Sequence, residues 1–191
     1  SLNQNVYKIK KLGIFKINTK NIKIENYDQK TRNMIRKNLK NGTEFIIVNN
    51  NTYNFKQLRV FAENYINSMK NKKVDKFYYF NDDYYKKLEH IIKVNKGFLI
   101  NAYKSNVCVG SALFLYNNSN SYYHLSYQKN VPGIMNSIIF VATKYLYKLN
   151  KKLLLLGGGN LNSEDDNLLK FKLKMSNCYD YFYLETKILN S

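Results

Sequence analysis

Only three arginines occur in the chain, Arg32, Arg36 and Arg59, within a total of 31 lysines and arginines. Two of them stand four residues apart. In a helix, Arg32, Arg36 and Lys40 form one i, i+4, i+8 row with Asn33 and Lys37 beside it. Guanidinium forks hold phosphate oxygens in pairs, so the stripe suits a phosphate-bearing partner; a plainly solvated helix face is the other reading. Gly157-Gly158-Gly159 follows an apolar run, Leu153 to Leu156, and precedes another helical pattern. Backbone N–H groups at such a turn cradle an anion or a developing oxyanion, although a turn needing positive φ would also use glycine. The spacing matches neither a dinucleotide fingerprint nor a P-loop.

In the helical pattern after the glycines, Leu168, Phe171 and Met175 are expected to pack inward. Lys172 then lies between the apolar side and the solvent. It is either held at a cleft edge, where its ammonium would stabilise an anionic intermediate, or it snorkels to water. His124, inside the strand-like Tyr122 to Tyr127, has the ordinary pKa of a general base and also the setting of a hydrogen-bonded core histidine. Tyr79, in the cluster Phe77-Tyr78-Tyr79-Phe80 with Tyr84-Tyr85, either lines a cleft for a sugar or base or belongs to the core. Cys108 and Cys178 have no paired spacing and read as packing residues; with His90 and His124 they assemble no zinc-type cluster, so no metal is expected.

The elements that must position these groups follow from period and punctuation. Val6 to Ile17 reads as a strand, and Asn26-Tyr27-Asp28 caps a helix from Gln29 to Lys40 that Gly42 closes. Glu44 to Asn49 is a short strand, and Leu58, Phe61, Tyr65 and Met69 mark an amphipathic helix from Asn54 to Met69. Asn81 opens a helix to Val94. Gly97 to Lys104 and Val107 to Tyr116 form a hairpin through Ser105-Asn106, and Tyr122 to Tyr127 adds a strand. A core helix from Ile134 to Leu149 precedes Leu153 to Leu156, which reads as a strand buried on both faces. Ser163 is expected to cap a helix to Met175, and Tyr179 to Ile188 returns as a strand. No internal repeat or linker divides the chain.

The 191 residues, 45% hydrophobic, suffice for one core, which excludes a disordered tail. A net charge of +18 favours RNA, nucleotide diphosphates or anionic lipid, although a genome biased toward Asn, Lys, Ile and Tyr would produce the same excess. No apolar run is long enough for a membrane span and no signal-peptide pattern opens the chain, so the expectation is a cytoplasmic protein with no transmembrane segment. The chain begins Ser1-Leu2 rather than with Met, which points to a tag scar or to a piece of a longer polypeptide.

Read in order, Thr31 to Lys37 through Gly42, Phe77 to Phe80 before Tyr84, Gly110 to Leu115, Tyr123-His124-Leu125-Ser126, Leu156 to Gly159 and Leu169-Lys170-Phe171-Lys172 resemble the FemABX-type aminoacyltransferases, in their C-terminal half. The resemblance implies a single GNAT-like (acyl-CoA N-acyltransferase) α/β domain over residues 1–191, with a mixed central sheet and helices on both faces. It also implies a missing N-terminal domain of the same polypeptide. The activity implied is transfer of an amino acid from aminoacyl-tRNA, the co-substrate in place of a cofactor, to an amine. The acceptor would be a nucleotide- or lipid-linked cell-wall precursor, typically the stem peptide of a peptidoglycan precursor. Phe171-Lys172 is similar to the family's Phe-Lys motif beside the tetrahedral centre, and Arg32, Arg36 and Lys37 resemble its basic helix.

The chain departs from the pattern at Lys70-Asn71-Lys72, where relatives often carry an arginine, and at Met175, where they carry a second aromatic residue. Gln128 to Gly133 does not fit the Gln/Arg-x-x-Gly-x-Gly/Ala loop of acyl-CoA-dependent enzymes, which favours a tRNA donor over acyl-CoA. The rivals are an acyl-CoA-dependent N-acyltransferase acting on an amino sugar and a non-catalytic RNA-binding module. The cleft is expected where the strands ending near Tyr127 and Gly157 splay, close to Lys172.

Overall fold

The computed structural model describes residues 5–18, 20–72, 76–160 and 165–187. In chain order the elements are β1 (Asn5–Lys16), α1 (Gln29–Lys40), β2 (Glu44–Val48), α2 (Phe55–Asn71), α3 (Asp82–Lys93) and β3 (Gly97–Lys104). Then come β4 (Val107–Tyr116), β5 (Asn120–Gln128), α4 (Ile134–Lys148), β6 (Leu153–Gly157), α5 (Asn167–Lys174) and β7 (Cys178–Lys187). Local chemistry sets most of these bounds. Asp28 caps α1 by accepting from the Thr31 N–H at 3.0 Å and the Thr31 hydroxyl at 2.8 Å, and these bonds hold its carboxyl below the usual range. Asn54 and Asn81 cap α2 and α3 in the same way. Ser105 and Asn106 both have positive φ, the conformation a two-residue hairpin between right-twisted strands requires.

Among the described residues, seven strands form one mixed sheet in the order β2-β3-β4-β5-β6-β1-β7, antiparallel at every junction except β5–β6. Strand residues alternate between two cores. Phe98, Ile100, Ala112 and Phe114 join Ile35 of α1, Ile134 and Ile138 of α4, and Met175 just after α5. Leu99 and Leu113 join Leu58, Phe61 and Tyr65 of α2 and Leu88 and Ile92 of α3 on the opposite face. This is the expected mixed sheet with helices on both faces.

Three expectations need correction. The last helix is capped by Asp166, whose carboxylate accepts from the Leu168 and Leu169 N–H groups at 2.7 and 2.9 Å; Ser163 lies outside the described residues. The helix is consequently phased so that Leu169 rather than Leu168 is buried, together with Met175. β6 is not buried on both faces: Leu154 and Leu156 are fully buried, whereas Leu153 and Leu155 are half-covered, because each strand face meets a different cover. The end of the last strand, at Ile188, also lies outside the described residues.

Candidate active site

The one parallel junction of the sheet is short. β5 and β6 pair only through Asn120–Leu153, Ser121–Leu154 and Tyr122–Leu155. β5 runs on to Gln128 against β4 alone, and β6 runs on to Gly157 against β1 alone, so the two strands part beyond Tyr122. Each also carries a register shift there. His124 is the extra residue between Tyr123 and Leu125, and Leu156 the extra residue between Leu155 and Gly157. Bulges of this kind add twist and re-aim side chains, and they open the sheet where the splay was expected.

Lys172 closes the mouth of this opening. Its Nζ donates to the Gly158 carbonyl at 2.7 Å, and a methyl group at Gly157 would stand 3.5 Å from the same nitrogen. The ammonium also lies 5.9 Å from the centre of the Tyr123 ring. Lys172 is half-buried, and burial pushes its pKa below the ordinary lysine value while the charge of Asp166 pushes it back up. Burial also raises the pKa of the Tyr123 phenol to about 12, against a hydrogen bond with Ser126 that lowers it. Gly157 has φ +81°, which an L side chain rarely adopts, and a Cβ at Gly159 would fall 2.4 Å from an Asp166 carboxylate oxygen. The triple glycine therefore turns the chain, exposes a carbonyl to Lys172 and lets Asp166 approach the backbone. Chemically the corner offers a cation with three N–H donors, one already directed at a carbonyl, beside an opened strand edge.

The other candidates are distributed around this corner. Phe171 is half-buried against the core shared by α1 and α4, where it fixes the seat of α5. His124 lies toward the other core: Nε2 shares a short hydrogen bond with the Tyr84 hydroxyl, and Tyr84 stacks on Phe80 at 4.0 Å. Lys172 and His124 thus approach the splay from opposite faces of the sheet. Arg32 donates to the Tyr27 and Glu25 carbonyls at 3.3 and 3.4 Å, and Arg36 meets the Glu25 carboxylate at 3.2 Å. The arginine row therefore also ties α1 to the turn before it, while Lys37 and Lys40 stand in solvent. Tyr79 is exposed beside the half-buried Phe80–Tyr84 stack, and the Phe77 side chain lies outside what the structure describes. Among the described residues no cluster of His, Cys, Asp or Glu could hold a metal ion.

Gly13, Tyr123 and Asp166 were not singled out in the sequence. Gly13 pairs with Gly157, and a Cβ on it would meet the Ser176 hydroxyl at 2.4 Å and the Lys172 carbonyl at 3.1 Å. Its signal was a lone glycine within a strand pattern, which marks a close approach. Asp166 was readable as an acidic N-cap before Leu168-Leu169, and Tyr123 had no distinguishing signal among eighteen tyrosines.

Although His124 is partly exposed, desolvation by its neighbours holds its pKa below the ordinary value, so the unfolded chain binds this proton more readily than the folded chain does. Its share of the stability is complete above the unfolded pKa, about 6.5, and is lost as pH falls from there toward the folded value. The melting temperature of the wild type should decline between pH 7.5 and 5.5, and His124→Gln should flatten that decline. Superposable profiles would show that His124 is as solvated in the folded state as in the unfolded one.

Neither a protein-family model nor a curated protein matches the sequence. Solved structures match the fold. FemX superposes with a TM-score of 0.70 at 12% identity, over 93% of this chain and 61% of its own. L-PGS from Bacillus licheniformis gives 0.67 at 14%, over 98% and 63%. A possible acetyltransferase from Clostridium difficile 630 gives 0.51 at 16%, over 78% and 99%. The chain thus has the FemX-like, GNAT-type α/β fold, and it spans about three fifths of the length of FemX and of L-PGS.

Proposed function

We propose that this chain is the donor-side domain of an aminoacyltransferase that moves an amino acid from aminoacyl-tRNA to an amine on a cell-envelope precursor, with the stem peptide of a peptidoglycan precursor as the favoured acceptor. The observation that carries the reading is the Lys172 ammonium, half-buried on the Gly158 carbonyl at the mouth of the splay between β5 and β6. Likeness of fold to FemX and to L-PGS supports the reaction class.

In this reading the acceptor amine attacks the ester carbonyl of the charged tRNA, and negative charge develops on the carbonyl oxygen. Lys172, already desolvated and oriented, places its positive charge there, where low dielectric strengthens it and no reorganisation is needed. The C–O bond to the ribose then breaks, and the amine proton passes to the departing hydroxyl. His124, whose pKa burial lowers further from an ordinary value already below 7, is the group that relays that proton from the opposite face. Arg32, Arg36, Lys37 and Lys40 supply phosphate contact, and Gly157, Gly158 and Gly159 keep the corner narrow. A second domain of the same polypeptide completes the acceptor side. The reaction takes place in the cytoplasm, where charged tRNA is made.

The test is a thermal-shift comparison. An aminoacyl-tRNA minihelix should raise the melting temperature of the chain, because a ligand bound only by the folded state stabilises it by mass action. Stabilisation by acyl-CoA thioesters, with none by the minihelix, would replace this reading by that of an acyl-CoA-dependent N-acyltransferase acting on an amino sugar.

A further inference from the structure

The sheet face that carries Lys172 does not end at α5. Gly13 pairs with Gly157 on one side and with Tyr179 on the other, and directly opposed residues of antiparallel strands share a face. The end of α5 covers that face at Gly13, as the close approach of Ser176 and of the Lys172 carbonyl shows. Beyond it the face is open. Tyr179, Tyr181 and Tyr183 alternate along β7, at the edge of the sheet, and are 55%, 46% and 67% exposed. Lys11, opposite Tyr181, places its ammonium 4.1 Å from the centre of the Tyr179 ring.

These rings leave about half or more of their surface to solvent, and burial is what makes an aromatic ring stabilising, so folding uses only part of what they offer. We propose that the β1–β7 face is a stacking platform for single-stranded RNA, on which bases lie against Tyr181 and Tyr183 while Lys11, seated on the Tyr179 ring, meets a phosphate. Three features argue for this occupant. Alternate positions stand about 7 Å apart along the strand, comparable with the backbone step of an extended, unstacked strand, and the Tyr179 and Tyr181 rings meet edge to face with centroids 5.8 Å apart. The face carries a cation within a chain of net charge +18, complementary to phosphate and repulsive to a second copy. Base stacking on aromatic rings beside lysines is the general means by which sheets hold single strands. The row leads inward, because Tyr179 lies two strand spacings, about 10 Å, from Gly157. Resting on the aminoacyl-tRNA reading above, the strand bound is the unpaired 3′ end, running along β7 toward Lys172.

The test uses uncharged RNA, so that it is independent of transfer. A fluorescent single-stranded oligonucleotide ending in CCA and a blunt hairpin with the same number of phosphates are titrated into the full chain at physiological salt. The single strand should bind more tightly than the hairpin. Tyr181→Ala and Tyr183→Ala should each weaken single-strand binding roughly 5- to 150-fold, the range for one stacked base, with little change for the hairpin. Tyr183→Phe should retain binding within about twofold, because the ring face is kept. Lys11→Ala should flatten the salt slope by about one unit.

Equal affinity of the unmutated chain for the two probes, or alanine variants that bind the single strand as the wild type does, would overturn the platform. So would sedimentation showing two copies paired along β7, an arrangement that would bury Phe182, 48% exposed on the other side of the strand, as well. Single-strand binding through these rings without stabilisation by the charged minihelix would leave the platform standing and remove the aminoacyl-tRNA reading. The reverse pattern would remove the platform alone.

Discussion

Lys172→Met should lower kcat for acyl transfer about 10²- to 10³-fold while changing KM little, in an enzyme whose acceptor side is complete. An ammonium aimed at a developing oxyanion interacts more strongly with the transition state than with the neutral ester, so its loss acts on the chemical step. The size corresponds to roughly 2.7 to 4 kcal/mol for one such donor once bound substrate excludes water. Methionine keeps the apolar stem along α5, so the melting temperature should hold, and the lost hydrogen bond to the Gly158 carbonyl leaves an oxygen that water can reach at the mouth of the splay.

The pH profile gives an independent check. Lys172 acts only when protonated, and burial lowers its pKa. The rate should therefore fall on the alkaline side, at a pH below the ordinary lysine value, and Lys172→Arg should move that fall upward. A drop in kcat of less than about threefold in Lys172→Met, well under 1 kcal/mol, would remove the residue from the chemistry.

Gly133→Ala should destabilise the fold by about 3 kcal/mol, lowering the melting temperature by roughly 6–12 °C for a chain of this size. Gly133 begins α4 at φ +71°, and an added Cβ would lie 2.4 Å from the Cβ of Met34, an atom fixed to the α1 backbone. Two costs add there: a left-handed conformation for an L residue, about 1–2 kcal/mol, and overpacking of about 1–3 kcal/mol. Neighbouring bonds hold the two helices at that distance, since Asn38 of α1 donates to the Pro132 carbonyl at 3.2 Å and to the Ser137 hydroxyl at 3.0 Å. Gly42→Ala separates the costs. Gly42 has φ +69° but open space where its Cβ would stand, so only the conformational part, about 1–2 kcal/mol, should be seen. Equal losses in the two variants, measured by chemical denaturation, would show that α1 retreats from α4 without cost.

Capping and period made much of the fold legible from residues alone. Asp28, Asn54 and Asn81 announce helices within one residue of where they begin, because an Asx side chain that satisfies a helix N–H group is a purely local device. The hairpin at Ser105-Asn106 is local too. What could not be read is whatever depends on distant pairing. The order that sets β1 between β6 and β7 joins residues more than 130 positions apart, and without it neither the partner of Gly13 nor the open face beyond Tyr179 is visible.

Within the site the same division holds. Lys172 and the glycines were legible as a cation following a turn. The opposed placement of His124 was not, because one inserted residue in β5 decides to which face a strand side chain turns. The arginine row was read correctly as one helix face, but its hydrogen bonds to the Tyr27 and Glu25 carbonyls depend on how the preceding turn folds back.

The position of β1 also governs how the molecule is made. On the ribosome β1 emerges ahead of the other strands of this sheet, yet both of its partners, β6 and β7, are the last of them to be synthesised. The β2-β3-β4-β5 meander needs only contacts within itself and can form as the chain lengthens, whereas β1 waits through nearly 140 further residues, roughly 7–30 s at ordinary elongation rates. During that interval its two edges are unpaired templates for any other strand. The segment is rich in lysine, at positions 8, 10 and 11, and such charge discourages pairing between nascent chains on one message. The corner that holds Lys172 is consequently the last part of this sheet to be completed, and a chain halted before β6 would carry a finished half-sheet and no site.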